Sequence, residues 1–162
     1  MIEVLRVDDR LLHGQVAVSW VNYYKADVIL IANDELIENK VMQTAFKLAC
    51  PPNVTLSMKS VEGASRVINN PKHAPRKIMV ITRNMNDAKT LIEKTGDAIK
   101  DVLLGGLRSG EGKKQIDNNS YMSQEDIEIM DCLTSRGLNV FMQAVPTLKK
   151  LTAVEIKQNY NK

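Results

Sequence analysis

The chain has 162 residues, 44% of them hydrophobic and 25% charged, with a formal net charge of +3. That length predicts one domain over residues 1–162 with room for a sizeable core, and the balance is ordinary for a soluble globular protein. The cations are scattered among 19 acidic residues, so nucleic acid is not expected as a partner, while docking against acidic protein surfaces is. No apolar run approaches the ~20 residues that cross a bilayer. The N-terminus opens directly into a strand carrying Glu3 and Arg6, so no signal peptide is expected. Cys50 and Cys132 match no metal or redox spacing and read as free thiols in a reducing cytosol.

Strand-like and helix-like runs alternate along the chain. Ile2 to Val7 reads as the first strand and Gln15 to Tyr24 as an amphipathic helix, with Val16, Trp20 and Tyr24 as its core stripe. Val28 to Ala32 is apolar throughout, the mark of a strand covered on both faces. Asp34 is placed to cap a helix through Cys50, which Pro51-Pro52-Asn53 must end. Val54 to Met58 alternates as a third strand. Ser60 opens a helix that stops near Asn69-Asn70-Pro71. Ile78 to Thr82 is a buried strand, Asn84 to Lys94 a helix with Gly96 at its C-terminus, and Val102 to Leu104 a fifth strand. Arg108 to Asn119 is polar and glycine-bearing and reads as a loop. Ser123, with Asp126 following, opens a helix that ends at Arg136-Gly137. Leu138 to Val145 is a sixth strand and the tail from Val154 a terminal helix. This alternation predicts an α/β fold: a three-layer, doubly wound, predominantly parallel sheet with helices on both faces.

The densest chemistry lies between the first strand and the first helix, at Asp8-Asp9-Arg10-Leu11-Leu12-His13-Gly14-Gln15. In a doubly wound sheet the first strand often lies centrally, and its C-terminal turn opens on a crevice where strand order reverses. Imidazole is both a neutral nucleophile and a good leaving group near neutral pH, so His13 is the candidate carrier of a phosphoryl group. Arg10 supplies a permanently charged planar donor suited to phosphate. Asp8 can hold Arg10 or orient the imidazole; Asp9 can do the same, and the residue pattern leaves the two unranked. Gly14 lets an anion approach the helix N-terminus, and Gly14 and Gln15 are the expected phosphate-binding residues. Arg6, on the strand, is read only as a support for the loop.

The run Arg6-Val7-Asp8-Asp9-Arg10-Leu11-Leu12-His13-Gly14-Gln15-Val16 resembles the active-site signature of IIB subunits of the bacterial sugar phosphotransferase system, mannose/fructose/sorbose family. The resemblance continues through Ile29–Asp34, Gly105-Gly106, Gly112–Ile116 and Gly137–Pro146, covering nearly the whole chain. Val7 and Leu12 stand where isoleucines are common in the family. The resemblance implies that His13 takes phosphate from the phosphohistidine of a IIA partner, carries it on Nδ1 (the pros nitrogen), and passes it to a hexose-class sugar taken up through the membrane subunits IIC and IID. It implies a catalytic set of His13, Arg10 and Asp8. No bound cofactor and no metal is expected, and the chain is expected in the cytoplasm, peripherally associated with the membrane subunits. Which sugar it serves stays open, and a homodimer is compatible with the reading.

Other motifs carry less. Gly105, Gly106, Gly110 and Gly112 with Lys113-Lys114 fail the Walker pattern, because Leu107 stands where glycine is required and Gln115 follows Lys114. They read as a surface loop or as one edging the His13 crevice, where Arg108, Lys113 and Lys114 would meet acidic groups. The turn after the first strand lacks Gly-x-Gly-x-x-Gly, which excludes nicotinamide binding. His73, bracketed by Pro71 and Pro75, reads as a surface residue. The alternative function is a receiver-like or non-catalytic signalling or interaction module. Met58-Lys59-Ser60 lacks the phosphoacceptor aspartate that a receiver requires, and Gly105-Gly106 stands where its lysine would be.

Overall fold

Continuous apolar runs build the centre of the sheet. Val28–Ala32 and Ile78–Thr82 are buried at every position, as strands must be when helices cover both faces. The computed structural model describes the backbone of residues 1–162 and every side chain except those of Gln15 and Val16. In chain order its strands are β1 (Ile2–Val7), β2 (Val28–Ala32), β3 (Thr55–Lys59), β4 (Ile78–Thr82), β5 (Asp101–Leu104), β6 (Lys113–Asp117), β7 (Ser120–Ser123), β8 (Asn139–Met142) and β9 (Leu151–Thr152). Seven of them form one sheet, in the order β3-β2-β4-β1-β5-β8-β9. The first six in that order pair in parallel, and β9 adds an antiparallel edge.

The period-2 alternation of side chains divides the core in two. On one face Leu5, Val7, Leu30, Val80, Val102 and Leu104 pack under α3 (Val61–Asn69), α4 (Met85–Lys94), α5 (Gln124–Ser135) and α6 (Ala153–Tyr160). On the other, Val4, Ile29, Ile31, Met79, Ile81 and Leu103 pack under α1 (Gly14–Tyr24) and α2 (Lys40–Ala49), chiefly against Ala17, Trp20, Val21 and Phe46. The expected three-layer, doubly wound, mainly parallel architecture is the one observed. Each fully buried aliphatic side chain in these layers contributes about 1.5–3 kcal/mol.

β1 lies at the middle of the sheet, between β4 and β5. Its connection through α1 leads to β2 on one side. The connection from β5 leads to β8 on the other. The chain therefore parts in opposite directions beyond the C-terminal ends of β1 and β5, which opens a crevice between them.

Four expectations need correction. The segment from Arg108 to Asn119 is not all loop. Its second half is β6, paired antiparallel with β7 across an Asn118-Asn119 turn. Lys113, Lys114 and Gln115 are all exposed and only Ile116 is buried, so no alternation of hydrophobicity marks the strand. Asp34 does not cap the helix that follows it. A short 3-10 turn, Glu35–Glu38, intervenes, and Asn39 caps α2 by accepting from the Met42 N–H at 3.0 Å. Asp34 instead accepts from the Val61 N–H at 2.9 Å, at the start of α3. The sixth strand is shorter than Leu138–Val145, and the chain adds Leu151–Thr152 as an edge strand before α6. His73 is half-buried and closes a short 3-10 turn, Pro71–His73.

Candidate active site

The loop from Asp8 to His13 is built by one side chain. Asp8 follows β1, and its N–H still donates to Thr82 O at 2.9 Å, as a continuation of the sheet. Its carboxylate Oδ1 accepts from the Arg10 N–H at 2.9 Å, and its carbonyl accepts from the Leu11 N–H at 2.9 Å. Aspartate favours this local turn because its short side chain reaches its own backbone two residues on. The turn forces Leu11 into the left-handed region, with φ 57°. That conformation costs a non-glycine residue about 1–2 kcal/mol. Burial of Leu11 and Leu12 in the core beneath α1 holds it in place.

The second carboxylate oxygen of Asp8 faces two cationic or basic groups. Oδ2 accepts from Arg6 Nη2 at 3.1 Å and lies 3.0 Å from His13 Nε2. Asp8 is fully buried. Burial pushes its carboxyl up. The His13 hydrogen bond, the Arg6 charge and the Arg10 N–H pull it down, and the net position is below the ordinary carboxylate range. Asp8 is therefore an ionised acceptor. It fixes Nε2 as the ring nitrogen carrying hydrogen and leaves the Nδ1 lone pair uncommitted to it.

His13 is the residue before α1, in extended conformation, and its imidazole gives α1 no capping bond. Its side chain retains 24% of its exposure, enough for an incoming group to meet the ring. Gly14 is exposed, has φ +40°, and has no atom within 4 Å of where a Cβ would stand. A side chain there would be strained and would cover the start of the helix. The side chain of Gln15, the other expected phosphate-binding residue, lies outside the described residues. Arg10 is exposed, and its Nη2 lies 3.7 Å from the Cβ position of Gly106, at the lining of the crevice.

The two aspartates that the sequence left unranked have separate tasks. Asp8 meets the imidazole, whereas Asp9 turns away and accepts from the Arg108 backbone N–H at 2.7 Å and Arg108 Nε at 2.9 Å. Arg108 thereby ties the segment that leads into the β6–β7 hairpin to the His13 loop. Ser120 reinforces this by donating to Gly105 O at 2.6 Å. The crevice has a volume of about 320 Å³ and is lined by Arg6, Arg10, Gly105, Gly106, Arg108 and Ser120, among others. Arg6 is the residue that sequence reasoning undervalued. It is 2% exposed on the central strand. The signal was a charge standing among Val4, Leu5 and Val7. Among the described residues, no group of three or more His, Cys, Asp or Glu is arranged to hold a metal ion.

With this geometry in view, the likeness to known proteins is specific. The family model of the PTS system sorbose subfamily IIB component matches residues 2–161. The chain is 31% identical over 147 residues to the sorbose-specific EIIB component of Lacticaseibacillus casei, covering 91% of this chain and 89% of that one. It is 33% identical over all 162 residues to the mannose-specific EIIAB component of Escherichia coli (strain K12), of which it spans 50%, about half the length. The solved IIBSor domain of the sorbose permease from Klebsiella pneumoniae superposes with a TM-score of 0.91 at 27% identity, over 98% of this chain and 97% of that one. A family-model match over residues 2–161, together with 31% identity to a relative covered over 89% of its length, places the chain among the sorbose-subfamily IIB components of the sugar phosphotransferase system.

Proposed function

We propose that residues 1–162 act as one IIB domain and that His13 is a phosphoryl carrier. Its Nδ1 lone pair forms a bond to phosphorus as the N–P bond of a IIA phosphohistidine breaks, the electron pair returning to the donor ring. A sugar hydroxyl oxygen then forms its bond to phosphorus as the Nδ1–P bond breaks, and the hydroxyl proton passes to solvent. The sugar is of the hexose class and reaches His13 through IIC and IID at the cytoplasmic face of the membrane. No helix among the described residues is long and apolar enough to cross a membrane, which is consistent with a subunit that works against membrane partners.

The observation that carries this reading is the Asp8–His13 contact at 3.0 Å, which holds one ring nitrogen while the partly exposed ring keeps the other for attack. In this reading Arg10, whose side chain lines the neighbouring crevice, neutralises the equatorial oxygens, the main electrostatic demand of phosphoryl transfer. In this reading Gly14 leaves the helix N-terminus open to the anion and Gln15 is the second phosphate-binding residue. A receiver-like role is disfavoured because β3 runs out at Lys59-Ser60 and β5 at Gly105-Gly106, with no acceptor aspartate or partner lysine there. Incubation with a phosphorylated IIA protein should place acid-labile, alkali-stable phosphate on His13, and His13→Ala should abolish it. Labelling that survives His13→Ala would overturn the assignment.

A further inference from the structure

Arg6 is a buried charge on the central strand. It points from the central strand into the α1 face, the face that also holds Val4 and Trp20. It is 2% exposed. Nε and Nη1 have no hydrogen-bond partner among the described residues, and only Nη2 pairs, with Asp8. The guanidinium carbon lies 5.9 Å from the Trp20 ring centroid. On its other side the guanidinium lies against Gly105, where a Cβ would collide with it. A buried cation with unpaired donors is a net cost to folding, and an apolar residue of similar volume would serve the core better. Stability does not account for its presence, and the role of its one partner does.

We infer that Arg6, seated in a slot that Gly105 keeps open, is a positioning residue that holds Asp8 as a carboxylate and thereby holds His13 in the tautomer whose Nδ1 is free to attack. The inference rests on the reading of His13 as the phosphoryl acceptor. Without a cation beside it, a fully buried carboxylate facing a neutral imidazole is stabilised by taking a proton from solvent. Protonated Asp8 would then donate to Nε2. The imidazole would carry its own hydrogen on Nδ1, and the lone pair needed for the new N–P bond would be occupied. Arg6 prevents this by supplying a fixed positive charge 3.1 Å from Oδ2. Gly105 takes part because any larger residue would displace the guanidinium.

The test reads the tautomer directly. In ¹⁵N spectra of unphosphorylated protein, His13 should carry its hydrogen on Nε2. In Arg6→Gln the Nδ1–H form should become populated, and the rate of phosphorylation by phosphorylated IIA should fall about 10- to 100-fold, the scale of loss when an outer partner of a metal-ligating histidine is removed, with the circular dichroism spectrum retained. Arg6→Lys, which restores the charge, should recover part of both signals. Gly105→Ala should reproduce the Arg6→Gln phenotype without altering any charge, and should add little in the Arg6→Gln background. A single Nε2–H tautomer in both Arg6→Gln and Gly105→Ala would overturn the inference, whatever happens to the rate. The tautomer measurement needs no phosphoryl transfer, so it stands even if His13→Ala shows the acceptor to be another residue.

Discussion

At the scale of single residues, the site depends on one carboxylate serving three donors. Asp8 receives Arg6 and His13 on one oxygen and the Arg10 N–H on the other. Its carboxyl is held below the ordinary range, so the folded state binds its proton less readily than the unfolded chain does. The stabilisation from this group is therefore complete above the unfolded-state value of about 3.9, and is lost as pH falls below that value and through the depressed one. Asp8→Asn should remove this acid-side component. It should also cost about 3–5 kcal/mol at neutral pH, because it strands the buried Arg6 charge. Denaturant unfolding at a series of pH values checks both effects. Asp9, one position along, does not meet the imidazole: its carboxylate is engaged by Arg108 at the edge of the crevice.

At the scale of elements, capping chemistry decides where helices begin. Ser123 and Asp126 form a reciprocal capping box at α5, although aspartate is shorter than the usual glutamate. Thr152 and Glu155 do the same at α6. Asn39, not Asp34, begins α2, and Asn39→Ala should cost about 1 kcal/mol of stability, read as a lowered denaturation midpoint with unchanged slope. The residue pattern points to Asp34 as the cap, and only the 3-10 turn that follows it moves the start of α2 to Asn39. That turn is set by Asn33, whose side chain accepts from the Leu36 N–H at 2.9 Å, and by the complete burial of Leu36. The β6 strand was illegible for a related reason. Hairpin pairing satisfies its backbone while its exposed side chains carry no pattern.

At the scale of the molecule, the sheet order places β1 centrally, and the two core layers clamp it from both faces. The His13 loop inherits its rigidity from this clamp. Its start is bonded to both neighbours: the Asp8 N–H donates to Thr82 O at the end of β4, and the Asp9 N–H to Gly106 O just beyond β5. Leu30, fully buried on β2, supports the same layer as Leu5 and Val7 without touching the loop's chemistry. Leu30→Ala should therefore destabilise the fold by about 2–5 kcal/mol. Phosphorylation of His13 by IIA should be nearly unchanged at temperatures where the variant stays folded, which unfolding curves and transfer rates together check.

The chain alone determined its fold class, six of its strands and the main helices, and the presence of an imidazole in the first turn. These are local properties: apolar runs, periodicity and the residues of a single loop are read along the chain. Tertiary structure decided the partnerships. The turn after β1 decides which aspartate the histidine touches, and only the meeting of β1 with β5 and the segment after it shows why Asp9 turns to Arg108, why Arg6 is buried, and why Gly105 has no side chain. Charge pairing and steric fit act through space between segments about a hundred residues apart, and no pattern along the chain encodes which of them come together.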